Sequence, residues 1–338
     1  MPTNSLKLYL ITRLLLVLPM LLILLTLVFV LLRIAPGDPV LAMLGPKAPP
    51  ERIDELREAH GLNRPLPLQY LTYLGGILRI DLGKSMLNDL EVQHIIGQSF
   101  GATLELTLMA MIVAIGVGIL AGTYAGRRRD SPLDFFSRLY GILIYSTPIF
   151  WLGMMFQLIF GIQLGWFPTG GRITPFLEPR NITGLYLLDS LLTGNISSFL
   201  SALHHIALPS VTLGLVISGI FTRMMRANLI QTIRSDYVEA ARARGIPERY
   251  ILWRYGFKNA LIPVVTVMGL EWALLLGGAV LTETTFTWPG LGKTLLYYLN
   301  NRDYIAVQGI ITFFALIVVF FSLLVDLVNA AIDPRIRY

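Results

Sequence analysis

The stretch Ser235-Asp-Tyr-Val-Glu-Ala-Ala-Arg-Ala-Arg-Gly-Ile-Pro-Glu248 joins two long apolar segments and indicates how the whole chain is organised. Ser235 is suited to cap the start of a helix, and Gly245 is suited to the left-handed backbone conformation that ends one. Pro247 is suited to the first position of a second helix. The stretch therefore predicts a short helix, a tight corner and another helix. Presented at a membrane surface by two anchored ends, this shape suits docking into a groove of a soluble partner.

The composition around this stretch is that of an integral membrane protein. Hydrophobic residues make up 54% of the 338 residues and charged residues only 14%, which is wrong for a soluble globular protein of this size. Six apolar runs are each long enough to cross about 30 Å of hydrocarbon. The predicted spans are residues 10–32, 102–126, 135–164, 206–225, 260–281 and 305–331. We expect an all-α polytopic fold whose first span is retained, because Arg33-Ile-Ala-Pro36 does not resemble a cleavage site.

The distribution of charge predicts the orientation of these spans. Six spans place both termini on one side of the membrane, together with the loop around Glu239. Lys and Arg clearly outnumber Asp and Glu on that side, for example at residues 127–129, whereas the two signs nearly balance on the other. An excess of Lys and Arg beside span ends marks the cytoplasm, so we expect both termini and the loop there. The net charge of +6 thus reflects topology, and nucleic-acid binding is not expected.

Motifs along nearly the whole chain resemble one family of membrane proteins. Glu239-Ala240-Ala241, with Gly245 three residues after Arg242 and Asn259-Ala-Leu-Ile-Pro263 downstream, is similar to the EAA loop of bacterial ABC importer permeases. Further motifs of the resemblance are Ile34-Ala-Pro-Gly-Asp-Pro39, Gly61-Leu-Asn-Arg-Pro-Leu-Pro-Leu-Gln-Tyr70, Asp81-Leu-Gly83, Thr183-Gly184 with Leu188-Asp189, Thr282-Glu-Thr-Thr-Phe-Thr-Trp-Pro-Gly-Leu-Gly292, Arg302-Asp-Tyr304, Gln308-Gly309 and Asp333-Pro-Arg-Ile-Arg337. Together they resemble the B permease subunit of dipeptide and oligopeptide importers, most closely the dipeptide branch. One departure is Arg244 before Gly245, where many permeases have Lys, and it keeps the charge.

The resemblance implies a type I ABC importer permease in a bacterial inner membrane, whose cytoplasmic coupling helix contacts an ATPase subunit. The residues implied in this coupling are Glu239, Ala240, Ala241, Arg242, Gly245 and Pro247. The implied partners are a homologous second permease subunit, two cytoplasmic ATPase subunits that hold ATP and Mg²⁺, an extracytoplasmic substrate-binding protein, and membrane lipid. No cofactor is expected in this chain itself. Relatives in the family carry dipeptides, longer peptides, nickel or other small solutes, so the substrate stays open.

The chain divides into three predicted regions. Residues 1–35 form an N-terminal transmembrane helix, residues 36–101 an extracytoplasmic loop or subdomain, and residues 102–338 a five-helix core. The coupling loop occupies residues 227–259 of this core. Residues 50–60, with Pro at the start and Gly61 at the end, predict an amphipathic helix in the outer loop. The long outer loops either cover the mouth of the pathway or receive the binding protein that the resemblance implies.

Two glycine motifs mimic nucleotide-binding sites. Gly292-Lys293-Thr294 ends like a phosphate-binding loop, but that loop needs a glycine at position 287, where this chain has Thr. ATP hydrolysis must therefore come from another chain.

The second motif, Gly116-Val-Gly118-Ile-Leu-Ala121, lies inside a hydrophobic helix and follows no strand, so a dinucleotide fingerprint is not expected. Gly118, Gly122 and Gly126 recur every four residues, which predicts a face where another helix approaches closely.

Glu271 lies near the centre of the fifth predicted span. A carboxylate facing lipid there would cost several kcal/mol, so it is either a protonated or partnered structural acid or a residue that lines the translocation path. Glu105 and Asp326 lie nearer to span ends, where interfacial solvation is easier. The four histidines form no metal-ligand set, and no catalytic set of nucleophile, base and orienting residue can be assembled, so neither a metal site nor an enzyme is expected.

The alternative of another class is a stand-alone channel or secondary transporter. Inverted repeats and interrupted mid-membrane helices would favour it, but we see only Pro148 inside the third predicted span and no paired counterpart. A membrane-embedded hydrolase lacks catalytic side chains.

Overall fold

The computed structural model describes residues 4–34, 39–45, 48–277 and 279–332. These residues form α-helices joined by loops, and their β-structure amounts to an isolated antiparallel bridge between Lys84 and Glu91. The α-helices are α1 (Asn4–Ile34), α2 (Pro39–Leu44), α3 (Pro50–Ala59), α4 (Leu66–Leu78), α5 (Val92–Arg127), α6 (Pro132–Ser146), α7 (Ile149–Phe156), α8 (Tyr186–Leu192), α9 (Ile196–Ile233), α10 (Asp236–Ala243), α11 (Glu248–Tyr250), α12 (Lys258–Leu276), α13 (Val280–Thr285), α14 (Leu291–Asn300) and α15 (Tyr304–Ile332). Two π-helical segments extend them: Gln157–Gln163 continues α7, and Ile251–Phe257 joins α11 to α12.

Among the residues that the structure describes, five helical segments are long and apolar enough to cross a membrane. They are Leu15–Arg33, Val92–Arg127, Ile196–Ile233, Glu248–Leu276 and Tyr304–Leu327. A sixth span is reached when α6 and α7 are counted together, so the prediction of an all-α fold with six membrane spans is confirmed. The helices are longer than predicted: α5 begins at Val92 rather than at residue 102, because Gln93, His94 and Gln98 interrupt the apolar pattern without interrupting the helix. The predicted motif residues at 35–38 and 333–337 lie outside the described residues.

The third span was predicted over residues 135–164 with Pro148 inside it, and in the structure it is divided into two helices just before that proline. α6 and α7 are bent by 103° at the break between them. Pro148 lacks a backbone N–H, and its ring disfavours helical geometry in the residue before it. Thr147 accordingly adopts an extended conformation, with φ −85° and ψ 124°. The hydroxyl of Thr147 donates to the carbonyl of Leu143 at 2.7 Å, which satisfies one of the orphan carbonyls at the end of α6.

Helices also form in the region predicted as an outer loop. α3 covers Pro50–Ala59 as the pattern of residues 50–60 predicted, and it buries Ile53 and Leu56. Gly61 follows with φ +65°, the left-handed conformation that glycine adopts at low cost. The segment between Ala59 and the start of α5 holds the uncharged helix α4.

The centre of the fold is the pair α5 and α9, which meet along the glycine face of α5. A Cβ atom on Gly118 would lie 2.6 Å from the Cβ of Phe221, and one on Gly122 would lie 2.6 Å from the carbonyl oxygen of Thr222. On Gly126 it would lie 3.1 Å from the Cβ of Leu229. All three glycines thus face α9; a side chain on Gly118 or Gly122 would require a shift of one helix, whereas one on Gly126 would require a neighbour to give by a few tenths of an ångström.

We predict that Gly122→Leu separates α5 from α9 and lowers stability. Its side chain would collide with the backbone of Thr222, and overpacking of this kind costs about 1–3 kcal/mol or more. The matched control is Gly116→Leu on the same helix, because a Cβ there meets nothing within 4 Å. Thermal unfolding of the purified protein in detergent should show a clear loss for Gly122→Leu and a near-native midpoint for Gly116→Leu. Equal stability of both variants would refute the close contact.

Candidate coupling surface and translocation path

The predicted helix–corner–helix is present between α9 and α12. α10 begins at Asp236 after Ser235, and its two buried side chains, Val238 and Ala241, pack with Ile251 of the π-helical segment. Glu239, Ala240, Arg242 and neighbouring side chains on the other face of α10 are exposed. The helix therefore has one face fixed to the protein and one face free to bind a partner.

The corner after α10 depends on the backbone conformation of Gly245. Its φ is +75°, and a Cβ on it would meet nothing within 4 Å, so the constraint at this position is conformational rather than steric. The sequence had suggested Pro247 as the first residue of the second helix. In the structure Pro247 lies immediately before α11. Arg242 spans the corner and donates from Nε to Oε1 of Glu248 at 2.6 Å. Both side chains are exposed, so this ion pair contributes at most about 1 kcal/mol.

The second half of the loop is fixed to the spanning helices. Asn259 donates from Nδ2 to the hydroxyl of Tyr237 at 3.1 Å and to the carbonyl of Tyr255 at 2.9 Å, which ties α12 to α10. Gly256 lies against Leu229, since a Cβ there would be 3.2 Å from a methyl group of this leucine. α10 is thus bonded to α12 through Tyr237, and the segment behind it lies against α9.

A buried ion pair ties α6 to α9 two turns before α9 ends, and sequence reasoning missed it. Asp134 is fully buried and accepts two hydrogen bonds from Arg226, one from Nε and one from Nη2, the latter at 2.9 Å. The backbone N–H of Asp130 donates to the same carboxylate at 3.1 Å. Because Arg226 is 21% exposed, removal of one partner should cost less than the about 3–5 kcal/mol of a fully buried pair. In the sequence Arg226 counted only as one of many cytoplasmic charges, and no local spacing connects it to Asp134.

Glu271 lies beside a cavity of about 170 Å³. The cavity is lined mostly by apolar side chains of α9 and α12 and by the segment after α12, including Leu213, Ile217 and Leu274. Glu271 is half-buried, and no other described residue forms a hydrogen bond or ion pair with its carboxylate. Leu274, which shares the cavity, is 65% exposed, so the cavity opens towards a surface where another subunit or lipid must lie.

Glu105 is buried, whereas the sequence analysis expected an acid solvated at the membrane interface. It is 4% exposed and receives hydrogen bonds from Nε of Arg172 at 3.1 Å and Nη2 of Arg172 at 2.7 Å. The backbone N–H of Leu187 donates to its other oxygen at 2.6 Å. Arg172 also lies 3.7 Å from the centre of the Tyr186 ring. The loop between α7 and α8 folds back over α5 and replaces water, which composition alone does not reveal.

The motif at residues 282–292 builds a second polar cluster at the same end of α5. Glu283 is fully buried and accepts from the hydroxyl of Thr103 at 2.6 Å and from the backbone N–H of Lys293 at 2.9 Å. Trp288, also fully buried, donates from Nε1 to the carbonyl of Ala102 at 2.8 Å. The N–H group that a phosphate-binding loop would offer to a nucleotide is therefore occupied by Glu283, in agreement with the sequence argument against such a loop.

Two further buried carboxylates organise the loops at this end. Asp189 accepts from the backbone N–H groups of Ile182, Thr183 and Gly184 and from the Thr183 hydroxyl, at 2.6 to 3.3 Å. Burial alone would raise the pKa of Asp189, but these hydrogen bonds outweigh it and hold the pKa below its ordinary value. Asp303 accepts from the hydroxyl of Ser85 at 2.6 Å, which fixes the segment before α5 to α15. The sequence motifs that contain Asp189 and Asp303 thus hold the loops at this end of the protein in place.

Comparison with known proteins gives one consistent result along the chain. Residues 114–338 match the family described as binding-protein-dependent transport system inner membrane component, and residues 6–107 match the N-terminal part of such membrane components. A dipeptide transport system permease protein of Alkalihalophilus pseudofirmus is 39% identical over 98% of this chain and 99% of its own length. A di/tripeptide transport system permease protein of Pseudomonas aeruginosa is 40% identical over 92% of this chain and 93% of its own. A glutathione transport system permease protein of Escherichia coli is 36% identical over 98% and 99%.

The pH dependence of stability should carry a contribution from Glu283. Burial raises the pKa of its carboxyl above the ordinary value of 4.5, although hydrogen bonds from Thr103 and Lys293 oppose this. The folded state therefore holds the proton more tightly than the unfolded state, and stability falls as pH rises from 4.5 through the raised pKa. Thermal unfolding midpoints of wild type and Glu283→Gln should converge towards acidic pH and separate as pH rises, with wild type losing more. A constant difference between the two across this pH range would show that the pKa is not raised.

Proposed function

The chain belongs to the binding-protein-dependent transport system inner membrane components, and we propose its role within that family in detail. It is the permease subunit of an ATP-driven ABC importer of dipeptides or longer peptides, and it forms half of the translocation path. The observation that carries this proposal is the exposed helix α10, which two buried side chains and a hydrogen-bonded corner fix to spanning helices. A chain with this surface transmits force to its membrane helices and needs no chemistry of its own.

The exposed face of α10 docks into a cleft of a cytoplasmic ATPase subunit. Glu239 and Ala240 meet the partner, while Val238 and Ala241 connect α10 to the π-helical segment behind it. Closure of two ATPase subunits around ATP and Mg²⁺ would move α10, and α9 and α12 would move with it. The excess of Lys and Arg on this side of the sequence supports placing α10 and both termini in the cytoplasm.

The remaining partners follow from apolar surfaces that this chain leaves uncovered. Exposed apolar side chains on α6 and α12, such as Phe136, Leu143 and Leu274, need a cover of lipid or protein. We assign the face next to Glu271 to a homologous second permease subunit, which would complete the path. An extracytoplasmic binding protein delivers the substrate to the ordered loops around Glu105 and Asp189. Purification of the tagged chain from native membranes in mild detergent should recover these subunits, and recovery of a homogeneous single-subunit assembly with transport activity would contradict the proposal.

Peptides are the substrate class that similarity favours. The relatives compared above are named for dipeptides, di- and tripeptides and glutathione, which is itself a tripeptide. A nickel importer of the same family is the weaker alternative, since the relatives compared above are named for peptides. A secondary transporter is also disfavoured, because the described part of the chain contains a single bent helix pair with no matching counterpart.

We predict that Gly245→Val uncouples transport from ATP hydrolysis. A β-branched residue at φ +75° costs about 1–2 kcal/mol, enough to shift the docked conformation by roughly tenfold. Peptide uptake and the stimulation of ATPase activity by the loaded binding protein should both fall, while membrane insertion persists. Gly116→Val on α5, where a Cβ meets nothing within 4 Å, places the same side chain in ordinary helical geometry away from the docking face and should act as wild type. Full coupled transport by Gly245→Val would rule out the rigid corner.

We predict that Glu271→Gln changes substrate preference more than assembly. A peptide ammonium group in the path would meet the carboxylate weakly, at about 1 kcal/mol in a hydrated site, so uptake of peptides with an added positive charge should fall by about fivefold. Uptake of neutral peptides is the internal comparison, and Glu51→Gln on the exposed face of α3 controls for the loss of one negative charge. Equal effects on neutral and cationic peptides would place Glu271 outside the path.

A further inference from the structure

α4 packs against the outer half of α1. The hydroxyl groups of Thr26 and Tyr70 lie 2.5 Å apart, and the rings of Tyr70 and Tyr73 lie 5.2 and 5.8 Å from that of Phe29. At the end of α1, Nε of Arg33 donates to the side-chain oxygen of Gln69 at 3.0 Å. α4 therefore contacts a part of α1 that belongs to its membrane span.

The depth of this contact follows from the charges that bound the span. Between Arg13 and Arg33 the sequence is uncharged, and as a helix this run is about 30 Å long, the thickness of the hydrocarbon layer. Arg33 therefore marks one edge of that layer, and Thr26 lies about 10 Å inside it. A second contact agrees: the hydroxyl of Tyr73 lies 2.7 Å from that of Thr312, about 12 Å along α15 from its first residue.

The composition of α4 fits this depth and not an aqueous loop. Its 13 residues include no charged side chain, and none of them is buried within the chain. Leu71 and Leu78, two turns apart on one face, are 63% and 86% exposed. Arg64 and Arg79 flank the helix, where they can reach the headgroup region. The neighbouring helix α3, by contrast, is rich in charge and buries its apolar residues against the protein.

We propose that α4 is a membrane-embedded helix that lies in the leaflet at the Arg33 end of α1, with Leu71 and Leu78 in contact with lipid acyl chains. A lipid cover explains why an uncharged helix leaves its leucines unpacked, since an exposed apolar surface next to a membrane span continues that span's lipid-facing surface. The tyrosine hydroxyls point the other way and bind α1 and α15, so α4 also clamps these two spans together. Part of the segment predicted as an outer loop thus belongs to the membrane.

Site-directed spin labelling tests this, because the chain contains no cysteine. Single cysteines at Leu71 and, separately, at Leu78 are labelled in the assembled transporter in lipid nanodiscs, with the other subunits freed of reactive cysteines. Collision rates with oxygen, which enters lipid, and with a water-soluble nickel chelate are then measured. Ile23→Cys on the exposed apolar face of α1 is the lipid reference, and Phe176→Cys, at a side chain that is 98% exposed in a loop, is the water reference.

The two collision rates separate lipid, water and protein as the cover of α4. Labels at 71 and 78 should be accessible to oxygen as at Ile23, with nickel collisions at least about tenfold lower than at Phe176, because hydrocarbon excludes the charged chelate. Nickel accessibility similar to that at Phe176 would overturn the proposal and place α4 in water. Low accessibility to both reagents would overturn it too, because the face would then be covered by another subunit.

Discussion

The structure depends on the close approach of α5 and α9, which three glycines on α5 make possible. Gly118, Gly122 and Gly126 bring the backbone of α5 within reach of the backbone of α9. In a membrane, where lipid tails are as apolar as leucine, packing at this distance is a main source of helix association. One end of this pair leads into α10 and carries the Asp134–Arg226 tie to α6. The other end carries the buried carboxylate clusters. The α5–α9 pair therefore connects the α10 end of the protein to the loop-rich end.

Polar groups are used differently at the two ends. At the loop-rich end, Glu105, Glu283, Asp189 and Asp303 are all buried and hydrogen-bonded. Each would be costly without its partners, and together they hold irregular loops in one arrangement. At the α10 end, the buried Asp134 is paired with Arg226, while Arg242 and Glu248 of the corner are exposed and paired with each other.

Local signals made the coupling loop predictable from the sequence. Gly245 and Pro247 act on their own backbone and that of near neighbours, so a reader of the sequence needs no tertiary information. α3 was predictable for the same reason. Ser235 does occupy the N-cap position, but its side chain does not cap α10; its hydroxyl donates to the carbonyl of Thr232 instead. The orientation of the termini rests on charge counts and stays a prediction, and the roles of Glu271 and of the exposed face of α10 remain predictions as well.

Other features depend on contacts between distant residues and escaped prediction. Glu105 was expected near solvent, but Arg172, 67 positions later, covers it. Asp134 meets Arg226 across 92 positions, and no spacing rule links them. The bend before α7 was signalled by Pro148, yet hydropathy averaged over the run concealed it. α4 was hidden because its apolar stretch of 13 residues is too short to cross a membrane.

The central claim is that α10, α9 and α5 move as one body when the ATPase subunits close. The most direct measurement is the distance between spin labels on cysteines introduced at Ala243 and Tyr124, both exposed, in the assembled transporter without nucleotide and trapped with ATP. The account predicts one narrow distance distribution that is the same in both states, because α10 packs on the π-helical segment Ile251–Phe257 and Gly256 of this segment lies against Leu229 of α9. A distribution that shifts or broadens on ATP binding would show that the loop absorbs the motion, and would contradict a rigid mechanical coupling.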